Sequence, residues 1–262
     1  MTCCDGNSSQ WLAGKKGLVV GVANDKSIAW GCAKAFSAMG AELAMTYQNE
    51  KTKTYTEPLT QQINTGLFLP CDVQAAGSLE AVFEAIQKKW GKLDFLLHAI
   101  AFAPMNDLHG RVTDCSRDGF LQAMDISCHS FIRMAKLAEP LMTDGGSLLT
   151  LTYNGSQQVV HDYNCMGPVK AALESTMRYL AAELGPKNIR VNAVSPGPIS
   201  TRAGSGIKDF NALLDEKEKA SPLRHLSTQE DIGWTTAFLA SDKARSTTGT
   251  VAYVDCGVSV LG

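Results

Sequence analysis

Two long polar side chains that could act on one ligand lie in the segment YNCMGPVK, at Tyr163 and Lys170. A phenol donates and accepts hydrogen bonds, and an ammonium group donates three. If the segment is helical, seven steps of about 100° fall roughly 20° short of two turns, so both residues share one face about 10 Å apart. The alternative is a half-buried tyrosine and a surface lysine whose ammonium reaches water.

Gly167 and Pro168 stand between these two residues, although glycine and proline are the poorest helix formers. The residues that follow, AALESTMRYLAAEL, are typical of a good helix, which we predict over 163–184. Pro168 has no amide hydrogen, so its bond to the carbonyl of Asn164 is absent and the first turn should be slightly distorted. Gly167 leaves room where a cofactor or a neighbouring lid approaches.

Short apolar runs alternate with helical patterns along almost the whole chain. Such alternation predicts βαβ units and a parallel sheet, and near-continuous apolar runs are typical of strands buried on both faces. We therefore predict an α/β fold, a single Rossmann-like doubly wound domain over 11–262 with a seven-stranded parallel sheet, helices on both faces and a loose N-terminal extension at 1–10. The predicted strands are 17–23, 41–47, 65–71, 93–99, 146–153, 189–195 and 250–256, and the predicted helices are 27–39, 51–63, 77–90, 117–139, 163–184 and 228–241.

The carboxyl ends of these strands are where ligands are expected, near the switch in strand order. Tyr153 ends the fifth predicted strand, ten residues before Tyr163. The fold would therefore place two phenols and the ammonium of Lys170 at one edge of the sheet. Packing alone does not easily explain three such groups at one ligand-binding edge.

Composition and charge argue against several classes of partner. The formal net charge of −2 gives no reason to expect nucleic acid or an acidic membrane surface. The eight cysteines form no CxxC pair and no cysteine–histidine spacing suited to zinc, so we expect no metal and a reducing, cytoplasmic compartment. The first residues lack an apolar signal region, and no stretch approaches the roughly 18 apolar residues of a membrane span.

The loop GVANDKSIAWG follows the first predicted strand and opens a helix, but it is not a GxGxxG motif. Gly21 permits a tight turn, Ser27 offers a capping hydroxyl, and the amides at 27–29 point at whatever lies on the helix N-terminus. A pyrophosphate would fit there. A glycine turn before a capped helix is also common structure without any ligand.

The ends of the second and third predicted strands favour NADH over NADPH. Gln48 stands where dinucleotide folds usually carry an acid for the adenosine ribose, with Glu50 nearby and no arginine beside it for a 2′-phosphate. Asp72 could accept a hydrogen bond from the adenine amino group, and Val73 could pack on the ring. The alternative for Asp72 is a helix N-cap.

Together these segments resemble short-chain dehydrogenase/reductases of the NADH-dependent enoyl-acyl-carrier-protein reductase branch, the bacterial FabI type. The likeness covers nearly the whole chain, from about residue 12 to 260. Ordinary short-chain dehydrogenases carry TGxxxGxG, NNAG, a serine on the fifth strand and a Tyr-x3-Lys pair, and this chain has none of the four. The segments that carry the resemblance are GVANDKSIAWG, TYQNE, CDV, HAIAFAP, LLTLTYNG, YNCMGPVK and RVNAVSPGPISTRAGSGIKDF.

The resemblance implies NADH-dependent reduction of the C2=C3 bond of trans-2-enoyl thioesters in fatty acid biosynthesis. C3 would accept hydride, Tyr163 would donate a hydrogen bond to the enolate oxygen, and Lys170 would hold the nicotinamide ribose. Tyr153 would line the acyl pocket and help orient or protonate the substrate. The long Tyr–Lys spacing fits, because the oxyanion lies two carbons farther away than in carbonyl reduction.

The resemblance also implies a set of binding residues and a helical substrate lid at about 203–217, since the chain leaves the sixth strand through glycine and small residues. The cofactor would contact Gly21, Ser27, Ile28, Gln48, Asp72, Val73, Ile100, Lys170, Ile199, Ser200, Thr201, Arg202 and Ala203. The substrate would contact Ala103, Tyr153, Tyr163, Met166, Ile207 and Phe210.

The implied partners are an enoyl-acyl carrier protein or an enoyl-CoA, and further copies of the chain in a homotetramer. Reductases of this type carry basic residues directly after the lid phenylalanine, which suit an acidic carrier protein. Here Asn211 and Ala212 follow Phe210, leaving Lys208 and Arg202. Carrier docking is therefore expected to be weaker or to use other lysines.

Two other functions stay open. A short-chain carbonyl reductase is disfavoured by the missing strand-five serine and by the seven-residue spacing. A non-catalytic dinucleotide-binding sensor or scaffold is disfavoured by the intact Tyr163 and Lys170.

Overall fold

Seven strands pair in parallel into one sheet in the computed structural model, which describes residues 10–199 and 210–261 without the side chains of 210–213. The strand order β3-β2-β1-β4-β5-β6-β7 reverses between β1 and β4, the position where doubly wound sheets open a ligand crevice. All seven predicted strands are confirmed, and several end a few residues earlier than predicted. They are β1 Lys16–Val20, β2 Glu42–Tyr47, β3 Thr65–Pro70, β4 Phe95–His98, β5 Gly146–Leu151, β6 Ile189–Pro196 and β7 Val251–Val254.

The helices follow the predicted alternation, with three differences. A short helix at Met105–Leu108 is not among those predicted. The helix predicted at 117–139 is divided by a π-helical turn at Asp125–His129, and the helix predicted from 163 begins at Met166. The helices are α1 Ile28–Ala38, α2 Glu50–Thr60, α3 Ser78–Trp90, α4 Met105–Leu108, α5 Arg117–Met124, α6 Ser130–Ala138, α7 Met166–Leu184, α8 Phe210–Ala220 and α9 Gln229–Ala240. Short 3-10 turns lie at Val112–Asp114, Glu139–Leu141, Asn154–Ser156, Gly185–Lys187, Asp242–Ala244 and Val258–Val260.

Both faces of the sheet are covered by helices. Neighbouring residues of the central strands point to opposite faces, so each strand contributes to two core clusters. Leu18 and Leu96 pack in a core cluster with side chains of α3, α6 and α7. Val19 and Leu97 pack in a second cluster with side chains of α1 and α9. This two-sided burial explains why the strands are near-continuous apolar runs.

Side-chain caps fix where several helices begin. Asn49 accepts a hydrogen bond from an amide in the first turn of α2, and Ser116 does the same for α5. At α9, Thr228 and Asp231 cap each other's backbone amides reciprocally, which is a capping box. These polar contacts set boundaries that apolar periodicity leaves open.

Helices α1 and α9 touch backbone to backbone. A Cβ atom at Gly31 would lie 2.5 Å from the carbonyl oxygen of Gln229, and one at Gly233 would lie 2.6 Å from the carbonyl oxygen of Gly31. The side chain of Gln229 also donates to the carbonyl of Ser27 at 2.9 Å. The contact therefore fixes the start of α1 and the loop before it.

Two predicted segments fall wholly or partly outside the described residues. The N-terminal extension at 1–10 does so except for Gln10, and the lid at about 203–217 is described from residue 210, where α8 begins. Within 10–199 and 210–261, no helix combines the length and hydrophobicity needed to cross a bilayer.

The α1–α9 contact yields a stability prediction. Gly31→Ala should lower the free energy of unfolding by about 1–3 kcal/mol, because the new methyl group meets backbone that cannot move away cheaply. Urea unfolding followed by circular dichroism measures the change. Gly185→Ala is the matched control, since a Cβ there meets nothing within 4 Å and φ is −53°. Equal stability of the two variants would contradict the prediction.

Candidate active site

The residues predicted to bind ligands gather at the carboxyl ends of β1, β4 and β5, next to the reversal in strand order. At Gly21, which follows β1, φ is 112° and a Cβ atom would lie 2.1 Å from the carbonyl oxygen of Ala99. Only glycine fits a backbone of this shape at so close an approach. The close approach at Gly21 brings the loops after β1 and β4 together, but the hydrogen-bonded turn of this loop lies later, where the amide of Ser27 donates to the carbonyl of Asn24 at 3.2 Å.

Ser27 occupies the N-cap position of α1, but its hydroxyl does not cap the helix as predicted. The hydroxyl oxygen instead accepts the amides of Ala23 and Asn24, both at 3.0 Å, because the loop folds back on itself. No acceptor among the described residues bonds the amides of Ile28 and Ala29. These amides at a helix N-terminus suit a phosphate group.

The residues after β2 and β3 lie at the same carboxyl edge of the sheet as the loop after β1, because the three strands are parallel. Gln48 and Glu50 are exposed. The carboxylate of Asp72 accepts the amide of Gln74 at 3.0 Å, and α3 begins six residues after Asp72, so the alternative reading of Asp72 as a helix cap is wrong. Val73 is buried in the core. Contacts of these four residues with a nucleotide stay predictions.

The loop after β4 is held by a residue that the sequence did not single out. The hydroxyl of Ser127, within the π-helical turn, accepts the amide of Phe102 at 2.9 Å and donates to the carbonyl of the same residue at 3.1 Å. The predicted binding residues Ile100 and Ala103 lie in the same loop as Phe102, and both are half-buried. A serine in a helical pattern gives no sign that the helix will widen there and that its buried hydroxyl will bond the loop after β4.

Tyr153 and Tyr163 meet edge to face, with ring centroids 5.1 Å apart and planes at 69°. A Cβ atom at Gly155 would lie 2.6 Å from the ring of Tyr163, so the ring rests on bare backbone. Burial raises the pKa of both phenols, for Tyr163 far above its ordinary value. Both phenols are therefore protonated hydrogen-bond donors at neutral pH.

Tyr163 does not lie on α7, and the prediction of one helix face shared with Lys170 is wrong. Asn164 has a φ of 35° and Asp162 one of 58°, so the chain turns sharply before the helix. The carbonyl of Asn164 accepts the amide of Gly167 at 3.2 Å, a tightened turn that agrees with the distortion predicted from Pro168. Tertiary contacts, and not helical spacing, bring the two residues to the end of β5.

The ammonium of Lys170 is buried, with 4% of the residue exposed. Its Nζ donates to the carbonyl oxygen of Leu151, the last residue of β5, at 2.8 Å. Burial lowers the pKa of Lys170 to about 8, and the nearby Cys128 and Glu174 oppose that shift. The predicted alternative, a surface lysine, is excluded.

Two further buried groups surround this lysine and were missed from the sequence. Glu174, one turn farther along α7, is 1% exposed and accepts three side-chain hydrogen bonds from the segment after β5. His98, at the end of β4, bonds Thr150 at 2.9 Å and Ser130 at 2.8 Å. Burial, with a smaller effect of Lys170, lowers the pKa of His98 to about 3, so its ring is neutral.

Part of the predicted substrate pocket comes together. Met166 is buried in a small apolar cluster against which Ala103 and Tyr163 pack. Ile199 is half-buried against the core on the α1 side of the sheet. The predicted residues Ser200, Thr201, Arg202, Ala203 and Ile207 lie outside the described residues, and Phe210 is described only as the first residue of α8.

Comparison with known proteins decides the family. Residues 21–259 match the family model described as enoyl-(acyl carrier protein) reductase. The chain belongs to the enoyl-acyl-carrier-protein reductase family. This confirms the family predicted from the sequence motifs.

Curated members of this family are similar over nearly their full length. The enoyl-acyl-carrier-protein reductase (NADH) 2 of Rhizobium meliloti is 52% identical over 249 residues, which cover 95% of this chain and 93% of the relative. The FabI enoyl-acyl-carrier-protein reductase (NADH) of Rickettsia felis is 45% identical over 251 residues, 96% of each protein.

Solved members of the reductase family share the fold. The enzyme of Anaplasma phagocytophilum, crystallised with NAD, is 49% identical, with a TM-score of 0.93 and 97% of each chain covered. The Bacillus cereus enzyme, crystallised with NADP+ and an indole naphthyridinone, is 46% identical, with a TM-score of 0.94 over 97% of this chain and 99% of that one. The predicted Rossmann-like, doubly wound fold class is confirmed.

The buried ammonium yields a second stability prediction. Lys170→Met should raise the free energy of unfolding by about 1–3 kcal/mol at pH 7, because folding no longer buries a charge. Since Lys170 loses its proton near pH 8 when folded and near pH 10.5 when unfolded, the unfolded wild type binds more protons between these values. Wild-type stability therefore rises with pH there, and the advantage of the variant shrinks.

Urea unfolding of both proteins from pH 7 to 10 measures this difference. Lys136→Met, at an exposed position, is the control, and its difference in stability from the wild type should not change with pH. A Lys170→Met protein that is less stable than the wild type at pH 7 would show that the buried charge is fully compensated.

Proposed function

We propose that Tyr163, Lys170 and Tyr153 carry out the reduction of the C2=C3 bond of trans-2-enoyl thioesters in this protein. As a member of the enoyl-acyl-carrier-protein reductase family, the chain is an NADH-dependent oxidoreductase of fatty acid biosynthesis, as predicted. The roles of individual residues are our proposal. The observation that carries them is the meeting of two protonated phenols at the end of β5, where the ammonium of Lys170 is buried.

Tyr163 supplies the hydrogen bond that the reaction needs. Bound NADH would supply hydride to C3, the negative charge of the resulting enolate would lie on the thioester oxygen, and C2 would then take a proton. No described residue bonds the hydroxyl of Tyr163, and burial keeps its pKa high, so the phenol is free to donate to that oxygen. Tyr153, in edge contact with Tyr163, orients its ring and lines the acyl pocket beside Met166 and Ala103.

Lys170 holds the nicotinamide ribose and supports the developing charge. Its bond to the carbonyl of Leu151 uses one of three ammonium donors, which leaves two for ribose hydroxyls. The positive charge in a site of low dielectric stabilises an oxyanion held by Tyr163. The remaining cofactor contacts fit the same edge, with the amides of Ile28 and Ala29 for a phosphate group and Gln48 beside the adenosine ribose.

Whether the acyl chain arrives on carrier protein or on CoA depends on surface charge. The carrier-protein thioester is the substrate named for the relatives, and we propose it for this chain. Asn211 and Ala212 follow Phe210, so docking would depend on Lys217 and Lys219 of α8 or on lysines elsewhere. A comparison of kcat/KM for the two thioesters of one acyl chain decides between them.

We also propose that the protein is a cytoplasmic homotetramer. The six cysteines in the described part of the chain are all free thiols, as a reducing compartment requires. Ile132 and Tyr179 leave apolar surface exposed along α6 and α7, which could pack against another copy. Light scattering of the purified protein tests the assembly, and a monomer would contradict it.

One assay tests the reaction against its alternatives. Purified protein, NADH and a crotonyl or longer trans-2-enoyl thioester are mixed, and absorbance at the nicotinamide band is followed. We expect NADH oxidation. Turnover of a ketone but of no enoyl chain would favour a carbonyl reductase, and dinucleotide binding without turnover of either would favour a sensor.

Tyr163→Phe should lower kcat by about 10²-fold or more, because the oxyanion loses its hydrogen-bond donor. NADH binding, measured by fluorescence titration, should stay unchanged. Tyr179→Phe, at an exposed position of α7, is the matched control. Normal kcat in Tyr163→Phe would assign the donor role elsewhere, with Tyr153 as the next candidate.

Lys170→Ala should weaken NADH binding by about tenfold or more at pH 7, through the loss of a charged donor to the ribose. In the wild type, NADH affinity should fall as pH rises through about 8, where the buried ammonium loses its proton. Lys136→Ala is the exposed control. Normal NADH affinity in Lys170→Ala would show that the ribose role is wrong.

A further inference from the structure

Glu174 is a buried carboxylate that the proposed chemistry does not use. It lies on α7, four residues after Lys170, with 1% of the residue exposed. Burying a carboxylate is costly, and an apolar residue of similar size would fill the position at less cost. We therefore expect Glu174 to have a role that needs its charge or its hydrogen bonds and that an apolar residue could not fill.

The three hydrogen bonds of Glu174 all come from the segment that carries Tyr153. Oε1 accepts the hydroxyls of Thr152 at 2.6 Å and Ser156 at 2.5 Å, and Oε2 accepts the side-chain Nε2 of Gln157 at 2.9 Å. One donor precedes Tyr153 and two follow it. The carboxylate thus fixes this segment to α7 on both sides of the tyrosine.

The same segment supports the ring of Tyr163. Gly155 lies between Tyr153 and the two donors that follow it, and its backbone lies against the ring of Tyr163. The carbonyl of Gly155 also approaches Gly167 of α7 so closely that a Cβ there would lie 3.0 Å away. Release of the segment would therefore move the surface on which both phenols rest.

The charge of Glu174 also faces Lys170, because residues four apart lie one above the other on a helix. The titratable groups that interact with this lysine are His98 on β4, Cys128 in the π-helical turn and Glu174 itself. The phenols of Tyr153 and Tyr163, after β5, have raised pKa values and carry no charge. Burial keeps His98 neutral and the thiol of Cys128 protonated. Among the described residues, Glu174 is therefore the negative charge that opposes the loss of a proton from Lys170.

We propose that Glu174 is a positioning residue for this reaction. Its carboxylate fixes the segment 152–157, which contains Tyr153 and supports the ring of Tyr163, and its charge keeps Lys170 protonated. The second half rests on the role of Lys170 proposed above. The two halves are separable, because one depends on the reach of the side chain and the other on its charge.

Three variants separate these effects. Glu174→Gln keeps an acceptor oxygen and removes the charge. It should shift the pH at which NADH affinity falls to a lower value, weakening NADH binding by about three- to tenfold at pH 8 and little at pH 6. Glu174→Asp keeps the charge and shortens the reach, so it should keep the wild-type pH profile and lower kcat. Glu174→Ala should show both effects, and Glu183→Gln, exposed on the same helix, is the control.

NADH titrations and kcat are measured from pH 6 to 9.5, together with thermal unfolding. A Glu174→Gln profile that superimposes on that of the wild type would overturn the charge half of the proposal. Normal kcat in Glu174→Asp and Glu174→Ala would overturn the positioning half. Losses that follow thermal stability alone, with no change in the pH profile, would overturn both.

Failure of the Lys170 role has a different signature. NADH affinity of the wild type would then be independent of pH across this range, whatever stands at position 174. In that case the positioning half is still decided by kcat of the Asp and Ala variants.

Discussion

The ammonium group of Lys170 is buried at the carboxyl end of β5. Removing this charge from water costs free energy, and the other groups of the active site lie in the same buried environment. The single described hydrogen bond of the ammonium goes to a backbone carbonyl, which offers no full negative charge in return. The surrounding groups respond to the same low dielectric: His98 stays neutral, and the phenols of Tyr153 and Tyr163 stay protonated. One environment thus produces a cation of lowered pKa beside two hydrogen-bond donors.

Close backbone approach gives this site its dimensions. Gly21 meets the end of β4, Gly155 meets the ring of Tyr163, and Gly31 meets α9. In each place a methyl group would separate two elements that need to touch. The core clusters on the two faces of the sheet supply the stability that lets the edge keep a buried charge and strained turns.

The fold could be predicted almost completely, because strands buried on both faces appear as apolar runs and leave a strong pattern in the sequence. The site could be predicted by residue type more reliably than by geometry. Ser27 was expected to cap α1, yet its hydroxyl bonds within its own loop. The sequence predicts Tyr163 on α7, yet Asn164 has a positive φ that is not helical, so α7 begins only at Met166 and Tyr163 lies before it. Propensity and spacing do not encode which of several local hydrogen bonds a polar side chain will choose.

The amino-acid sequence by itself determined the succession of strands and helices along the chain, the chemical groups at the sheet edge and the family motifs. These features depend on local pattern and composition. Only the tertiary structure decided that Glu174 collects three donors from the segment around Tyr153, that Ser127 holds the loop after β4, and that the two phenols meet edge to face. The reason is physical: each of these contacts joins elements distant in the chain, and the packing of helices on a twisted sheet sets their distances.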